Sequence, residues 1–170
     1  MKIAIGIDPG GSSGCVCILY VDDEGLYKKH EFLEFKKLTL KQIIDRVMST
    51  GKLSRNMKFP IFAQVEKVSA MPGQGISSTF KFGMNYGNII SMLLCAGLPF
   101  EEKTPSQWMK IAHLQKLSNE DKKQHKNRRR HRAESLYPQI KISNANQFDA
   151  LLLSHYALMQ NHNKFNYASN

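Results

Sequence analysis

Three acidic residues stand where the sequence pattern would hold a carboxylate rigidly. Asp8 closes an alternating apolar strand, Glu66 closes a second apolar run, and Asp149 lies inside the last apolar helix. Carboxylates brought together repel and raise one another's pKa, and a hard divalent cation relieves that repulsion. Magnesium favours oxygen ligands, and two such ions about 4 Å apart activate water and stabilise a leaving 3′-oxygen in phosphodiester hydrolysis. Each acid taken singly reads most simply as a solvated group at an element's edge, so the case for a metal centre rests on all three converging.

The elements that must position these acids follow from periodicity. Ile3, Ile5 and Ile7 alternate with Ala4 and Gly6 in a strand stopped by Asp8-Pro9-Gly10-Gly11. Gly14 to Val21 reads as its hairpin partner. A third stretch around His30 to Phe35 follows the turn Asp22-Asp23-Glu24-Gly25, which completes an antiparallel meander. Leu40, Ile43, Ile44 and Val47 predict an amphipathic helix over Thr39 to Met48, before Gly51. Pro60 to Val65 is a buried strand that delivers Glu66 at its end. Met71-Pro72-Gly73-Gln74-Gly75 is a loop by composition, and Ser77-Ser78 offers a cap for a long apolar helix reaching Ala96 and closed by Gly97-Leu98-Pro99. A short strand and a helix start at Thr104-Pro105 fall between Glu101 and Trp108. Asn127 to Leu136 is helical, and the last helix runs from near Asn146 to about Met159. The simplest packing is a mixed sheet with helices on both faces.

A chain of 170 residues makes one domain, 1–170, and leaves no room for two enzymatic lobes. Its formal charge of +10 points to a polyanionic partner; nucleic acid fits best and an anionic membrane is the rival. No apolar run approaches the roughly 20 residues of a spanning helix. The opening MKIAIGID enters a strand pattern rather than a leader, so a cytoplasmic protein is expected, a viral host's cytosol or an organelle matrix included. Cys15, Cys17 and Cys95 are odd in number and lack C-x-x-C spacing, which argues against disulfides and zinc and leaves them as buried small apolar residues.

Lys122, Lys123, Lys126, Arg128, Arg129, Arg130 and Arg132 crowd one stretch, countered nearby by Glu120 and Asp121. A solvated face is the usual reading of such a run. Beside a candidate phosphodiesterase site, phosphate contact becomes the preferred one, because it fixes position without reading sequence and so suits a substrate recognised by shape. Phe80, Phe82, Met84, Tyr86, Ile89, Ile90, Met92, Leu93 and Leu94 cover more of one helix than a domain this small would bury, with core packing as the alternative.

Four segments carry a resemblance: GIDPGGSSG at Gly6 to Gly14, VEKVSAMPGQGISSTFKFGMNYG at Val65 to Gly87, TPSQWMK at Thr104 to Lys110, and FDALLLSHYAL at Phe148 to Leu158. In content and order they resemble the RuvC-like Holliday-junction resolvases of the RNase H superfamily, especially the compact bacteriophage and organellar versions. Asp-Pro-Gly alone is shared with sugar kinases and actin-like ATPases; joined to MPGQG after a strand-terminal glutamate it is more specific. The resemblance implies an α/β RNase H-like fold with a mixed five-stranded sheet flanked by helices. It implies a magnesium-dependent endonuclease making paired symmetric nicks in four-way or branched DNA and leaving 5′-phosphates. Two Mg²⁺ per site, with Mn²⁺ as substitute, would be held by Asp8, Glu66 and Asp149. Lys110 and Lys122 would lie near the scissile phosphate, where a lysine stabilises developing charge. The apolar helix would join a homodimer suited to symmetric cuts. Met71 would be either a wedge at the junction centre or an anchor for its loop. Neither a membrane nor a nucleotide cofactor is implied.

One position departs from the family pattern. Two metal-directed residues one helical turn apart are expected near the C-terminus, and the first falls on Asn146. An i,i+3 pair shares a helix face, so Asn146 is directed with Asp149, but its amide carries no charge. Three explanations stand open: a natural variant with an amide ligand, Asn144 taking the role, or an Asp-to-Asn substitution that silences the enzyme. His155, six residues past Asp149, lies about 240° around the helix and faces elsewhere. His113, His125 and His131 read as surface or DNA-facing groups. Two rival functions remain: a catalytically weakened junction-binding protein of the same fold, and an actin-like ATPase. The latter needs two lobes and a second phosphate loop, and the sequence offers neither.

Overall fold

The computed structural model describes residues 1–10, 13–69 and 75–160. Met71 and most of its loop therefore lie outside the described residues. Strands β1 (Lys2–Asp8), β2 (Cys15–Val21) and β3 (Tyr27–Glu34) form the antiparallel meander. Helix α1 (Leu40–Met57) then leads to β4 (Ile61–Glu66), α2 (Ile76–Cys95), β5 (Phe100–Lys103), α3 (Pro105–Ile111), α4 (Lys122–Leu136) and α5 (Ala145–Gln160). The sheet order is β3-β2-β1-β4-β5, with β4 parallel to β1 and β5 parallel to β4.

Side chains alternate across a strand, and the alternation divides the core in two. Ile3, Ile5, Ile7, Ala63 and Val65 face one way, into a cluster with Ile43 and Val47 of α1 and Ile89, Met92 and Leu93 of α2. Cys15, Cys17 and Leu19 face the other way, against Ala133 of α4 and Phe148, Leu151 and Leu152 of α5. Ala4 and Phe62 join that second side through Ala157. Gly6, Asp8, Gln64 and Glu66 share their strand parity, so both strand-end acids project toward α5 rather than toward α1 and α2.

Four expectations need correction. Helix α1 does not stop before Gly51 but runs on to Met57. Gly51 serves close packing there: an added Cβ would lie 3.2 Å from a Leu98 methyl and 3.4 Å from the Ala96 carbonyl oxygen. Helix α2 is capped at Gly75, with no side-chain cap, and Ser77 and Ser78 fall inside its first turn. Helix α4 starts at Lys122 instead of Asn127, because Asp121 and Gln124 form a capping box. Cys15 and Cys17 are buried as expected, whereas Cys95 is exposed at the end of α2. Among the described residues no helix is long and apolar enough to cross a membrane.

Candidate active site

Asp8 and Glu66 are neighbours by register. β1 and β4 pair in parallel with Ile7 opposite Val65, so the next residue of each strand is an acid, on the same face and at the same end. Adjacent strands lie about 4.8 Å apart, which sets the spacing of the two backbones. Above them runs α5, seated directly on β1. At Gly6 an added Cβ would collide with the backbone of Ala150, Leu153 and Ser154, so a side chain there would lift the helix. Asp149 precedes Ala150 and is thereby carried to the same end of the sheet.

The three carboxylates feel one another. Burial, followed by the charge of Glu66, pushes the Asp8 carboxyl up to about 7, while the Gly10 backbone N–H and the Arg129 charge pull it down. Burial pushes Asp149 up to about 7 as well, with Arg129 opposing and the charges of Asp8 and Glu66 adding. Burial also raises Glu66, against a hydrogen bond from Trp108 and the charge of Arg129. Ionised together, these acids need a counter-charge.

Arg129 supplies it. Its Nη1 donates to Asp149 Oδ1 at 2.5 Å, and the two side chains are only 16% and 13% exposed. Its guanidinium also stands 5.6 Å from the Phe148 ring centroid. Arg129 reaches inward because it shares a helical stripe, at four-residue spacing, with buried Ala133 and Tyr137.

Neighbouring contacts brace the acids. Buried Trp108 donates from Nε1 to Glu66 Oε2 at 2.9 Å. Helix α3 aims that indole, and its start is fixed by a capping box of Thr104 and Gln107 with Pro105 in the first turn. Glu34 at the end of β3 accepts from Asn144 Nδ2 and Gln147 Nε2, both at 2.8 Å, and so ties down the start of α5. Asn146 donates from Nδ2 to the Ser13 carbonyl, which fastens the helix to the loop after Asp8.

The remaining candidates are divided by placement. Lys122 lies seven residues before Arg129, on the same helix face and about 10 Å toward the helix start. Lys110 is exposed and turned about 200° from Trp108, away from the side that meets Glu66. Lys123, Lys126 and Arg132 are exposed. Arg128 is folded inward, gripping both Glu120 oxygens at 2.8 and 2.9 Å and the Gln115 carbonyl. Arg130 pairs with Glu134 at 2.8 Å. Asn144 is committed to Glu34, and His155 points to Tyr137, sharing a 2.8 Å hydrogen bond with its hydroxyl.

Sequence reasoning missed Arg129's inward role, Trp108, Glu34 and the close approach at Gly6. Gly6 had a signal, an interior glycine among β-branched residues, which marks a close backbone approach. The spacing from Arg129 to Ala133 and Tyr137 was a second, hidden by the surrounding charge.

The donor set fits a hard divalent ion in kind and in charge: half-buried carboxylates whose repulsion calls for a cation. In placement the fit is incomplete. Among the described residues no group of three or more His, Cys, Asp or Glu is drawn tightly enough to hold one ion, and Arg129 already neutralises Asp149.

No protein-family model matches the sequence. No curated protein matches it either. Solved structures do match in fold. Thermus thermophilus RuvC in complex with a Holliday junction substrate aligns at TM-score 0.59 with 12% identity, covering 96% of each chain. A second T. thermophilus RuvC structure aligns at TM-score 0.59 with 15% identity and the same coverage. The yeast mitochondrial Holliday junction resolvase Ydc2 aligns at TM-score 0.44 with 13% identity, covering 96% of this chain and 82% of that one. By the two RuvC alignments, the five-stranded mixed sheet flanked by helices is the RNase H-like fold seen in RuvC.

Proposed function

We propose that this chain is a structure-selective endodeoxyribonuclease that resolves four-way DNA junctions with bound magnesium. The observation that supports this most is the placement of Asp8, Glu66 and Asp149 at one end of the five-stranded sheet, each buried enough to need a counter-charge. Asp8, Glu66 and Asp149 would hold the ions, and Asn146 would contribute a neutral neighbour on the same helix face. When bound, two Mg²⁺ ions supply Lewis-acid activation of water and of the leaving oxygen, giving a 5′-phosphate product; Mn²⁺ substitutes. Trp108 fixes the Glu66 carboxylate, and Glu34 with Asn144 and Gln147 fixes the start of α5, so the acids are oriented before substrate arrives.

Lys122, Lys123, Lys126 and Arg132 face solvent along α4 and meet DNA phosphates, with Arg128 and Arg130 anchoring that surface. Lys110 contacts DNA from α3 and Met71 from the loop after β4. The partner surface is α2. Ile76, Phe80, Met84 and Leu94 recur along one stripe, with Phe80 and Leu94 67% and 65% exposed, and Gly83 and Gly87 leave open space between them. A second copy packed there gives a two-fold dimer whose sites cut opposing strands of a two-fold junction.

The test is nicking of a labelled four-way junction against linear duplex across a magnesium titration. Paired symmetric nicks, lost in Asp8→Asn and Glu66→Gln, are expected; equal cutting by both variants places the chemistry elsewhere. A second reading, a junction-binding protein with a crippled site, draws on the neutral Asn146 and the Asp149 pairing with Arg129. Tight junction binding without cleavage in any divalent metal favours it.

A further inference from the structure

We propose that Arg129 is a resident counter-cation of the acid pocket, which a divalent ion must displace from Asp149 before the site is loaded. The inference rests on the metal-site reading above and adds the gate that controls it.

Three observations carry it. The Arg129 guanidinium reaches Asp149 at charge-assisted distance from a helix other than the acid's own, so the contact is tertiary and bridges α4 to α5. Arg129 Nε is buried without a hydrogen-bond partner among the described residues. Most buried donors in proteins find a partner, and this guanidinium is bonded to Asp149 through Nη1 while its Nε has none. Finally, no group of acids among the described residues is drawn tightly enough to hold an ion, while Arg129 occupies one oxygen of Asp149.

Arginine suits the task. Its charge persists at every physiological pH, so Asp149 keeps a counter-charge whether or not metal is at hand. Its long stem lets the head group leave without moving the helix. Once released, it follows the stripe that Lys122 and Lys126 share, toward the face proposed to meet phosphate. A divalent ion and a monovalent guanidinium compete for one carboxylate, so removing the guanidinium strengthens ion binding. A substitution remote from the pocket does not.

The experiment is Mn²⁺ and Mg²⁺ binding by calorimetry to DNA-free protein, comparing the parent with Arg129→Gln, Arg129→Lys and Asp149→Asn. Arg129→Gln is expected to bind at least about tenfold tighter than the parent, the scale of one charge-assisted hydrogen bond. Arg129→Lys, which keeps the charge, should fall between them. Asp149→Asn should bind weakest. Equal affinities for parent, Arg129→Gln and Arg129→Lys, with binding lost in Asp149→Asn, overturn the gate and leave the metal site standing. Absence of binding in every variant overturns the metal site and the gate with it. Because Arg129→Gln risks unfolding, the nitrogen-resolved NMR signal of Arg129 Nε–H in the parent gives a second readout. It should shift from buried to solvent-exchanging on Mg²⁺ addition; an unmoved signal at saturating Mg²⁺ overturns displacement.

Discussion

Gly6 and Ala150 are in backbone contact: α5 sits so low on β1 that a Cβ at Gly6 would collide with the Ala150 carbonyl oxygen. The site depends on this approach, because Asp149 is the residue before Ala150 and Asp8 lies two residues beyond Gly6. Gly6→Ala should therefore cost about 3 kcal/mol of stability, the upper range for overpacking a filled core. Denaturant melts measure that cost. Junction cleavage at a temperature where the variant is still folded should fall further than the folded fraction explains, since α5 must lift.

Trp108 holds Glu66 through one N–H. Trp108→Phe keeps most of the apolar volume and removes that donor, so stability should drop by about 1.5–3 kcal/mol, the range for a hydrogen bond to a charged group. The role is one of positioning. Lower kcat with little change in junction affinity is the expected pattern, and Trp108→Leu should be no more active than Trp108→Phe. An unchanged kcat in a folded Trp108→Phe shows that the indole only packs.

Asn146 donates to the Ser13 carbonyl, and an aspartate there would meet that oxygen with a like charge. Asn146→Asp should lose about 1–3 kcal/mol without metal, as expected when a buried acceptor loses its donor. It should also cleave faster at saturating magnesium, because the fourth acid supplies another charged ligand. Melting with and without Mg²⁺ separates the two effects; unchanged cutting across a magnesium titration refutes a direct role for the position.

The exposed stripe of α2 should be covered by its own counterpart. Phe80→Lys combined with Leu94→Lys is expected to convert a dimer to a monomer in light scattering, while leaving the far-ultraviolet circular dichroism intact. A parent that is already monomeric at the same concentration contradicts the two-fold arrangement.

His155 is half-buried against Tyr137, and desolvation, then the Arg132 charge, hold its pKa below 6.5. A base depressed in the folded state contributes nothing unfavourable above 6.5. As pH falls through 6.5 the unfolded chain takes the proton that the folded one refuses, and stability is lost toward the lower folded value. The raised acids Asp8 and Asp149 act in the opposite sense over this window, so the readout is a difference. His155→Gln should lose less stability than the parent between pH 7 and about pH 5. Parallel curves for the two proteins disprove the assignment.

Much of this architecture was legible as pattern. The alternation of Ile3, Ile5 and Ile7 gave the strand and its inner face, and the end of the run gave Asp8; Val65 and Glu66 repeated the logic. What the sequence concealed were relations between elements. Gly51 reads as a helix stop, yet it lies within α1 because the α2 turn at Ala96 and Leu98 packs against it. The basic run reads as one surface, yet α4 turns Arg129 inward on the stripe of Ala133 while Lys122, Lys123, Lys126 and Arg132 face out. Apart from the spacing of Arg129 to Ala133 and Tyr137, local composition does not tell Arg128, Arg129 and Arg130 apart; the partners Glu120, Asp149 and Glu134 do. Lys110 illustrates the same limit, since two residues of helix separate it from Trp108 and turn it to the opposite side.

The claim on which the rest depends is that acids from two strand ends and one helix serve a shared ion. Anomalous diffraction from crystals grown with Mn²⁺ addresses it most directly. The expected result is a manganese peak within coordination distance of carboxylate oxygens from Asp8, Glu66 and Asp149 together. A map with Mn²⁺ bound elsewhere and none at Asp8 would contradict the account.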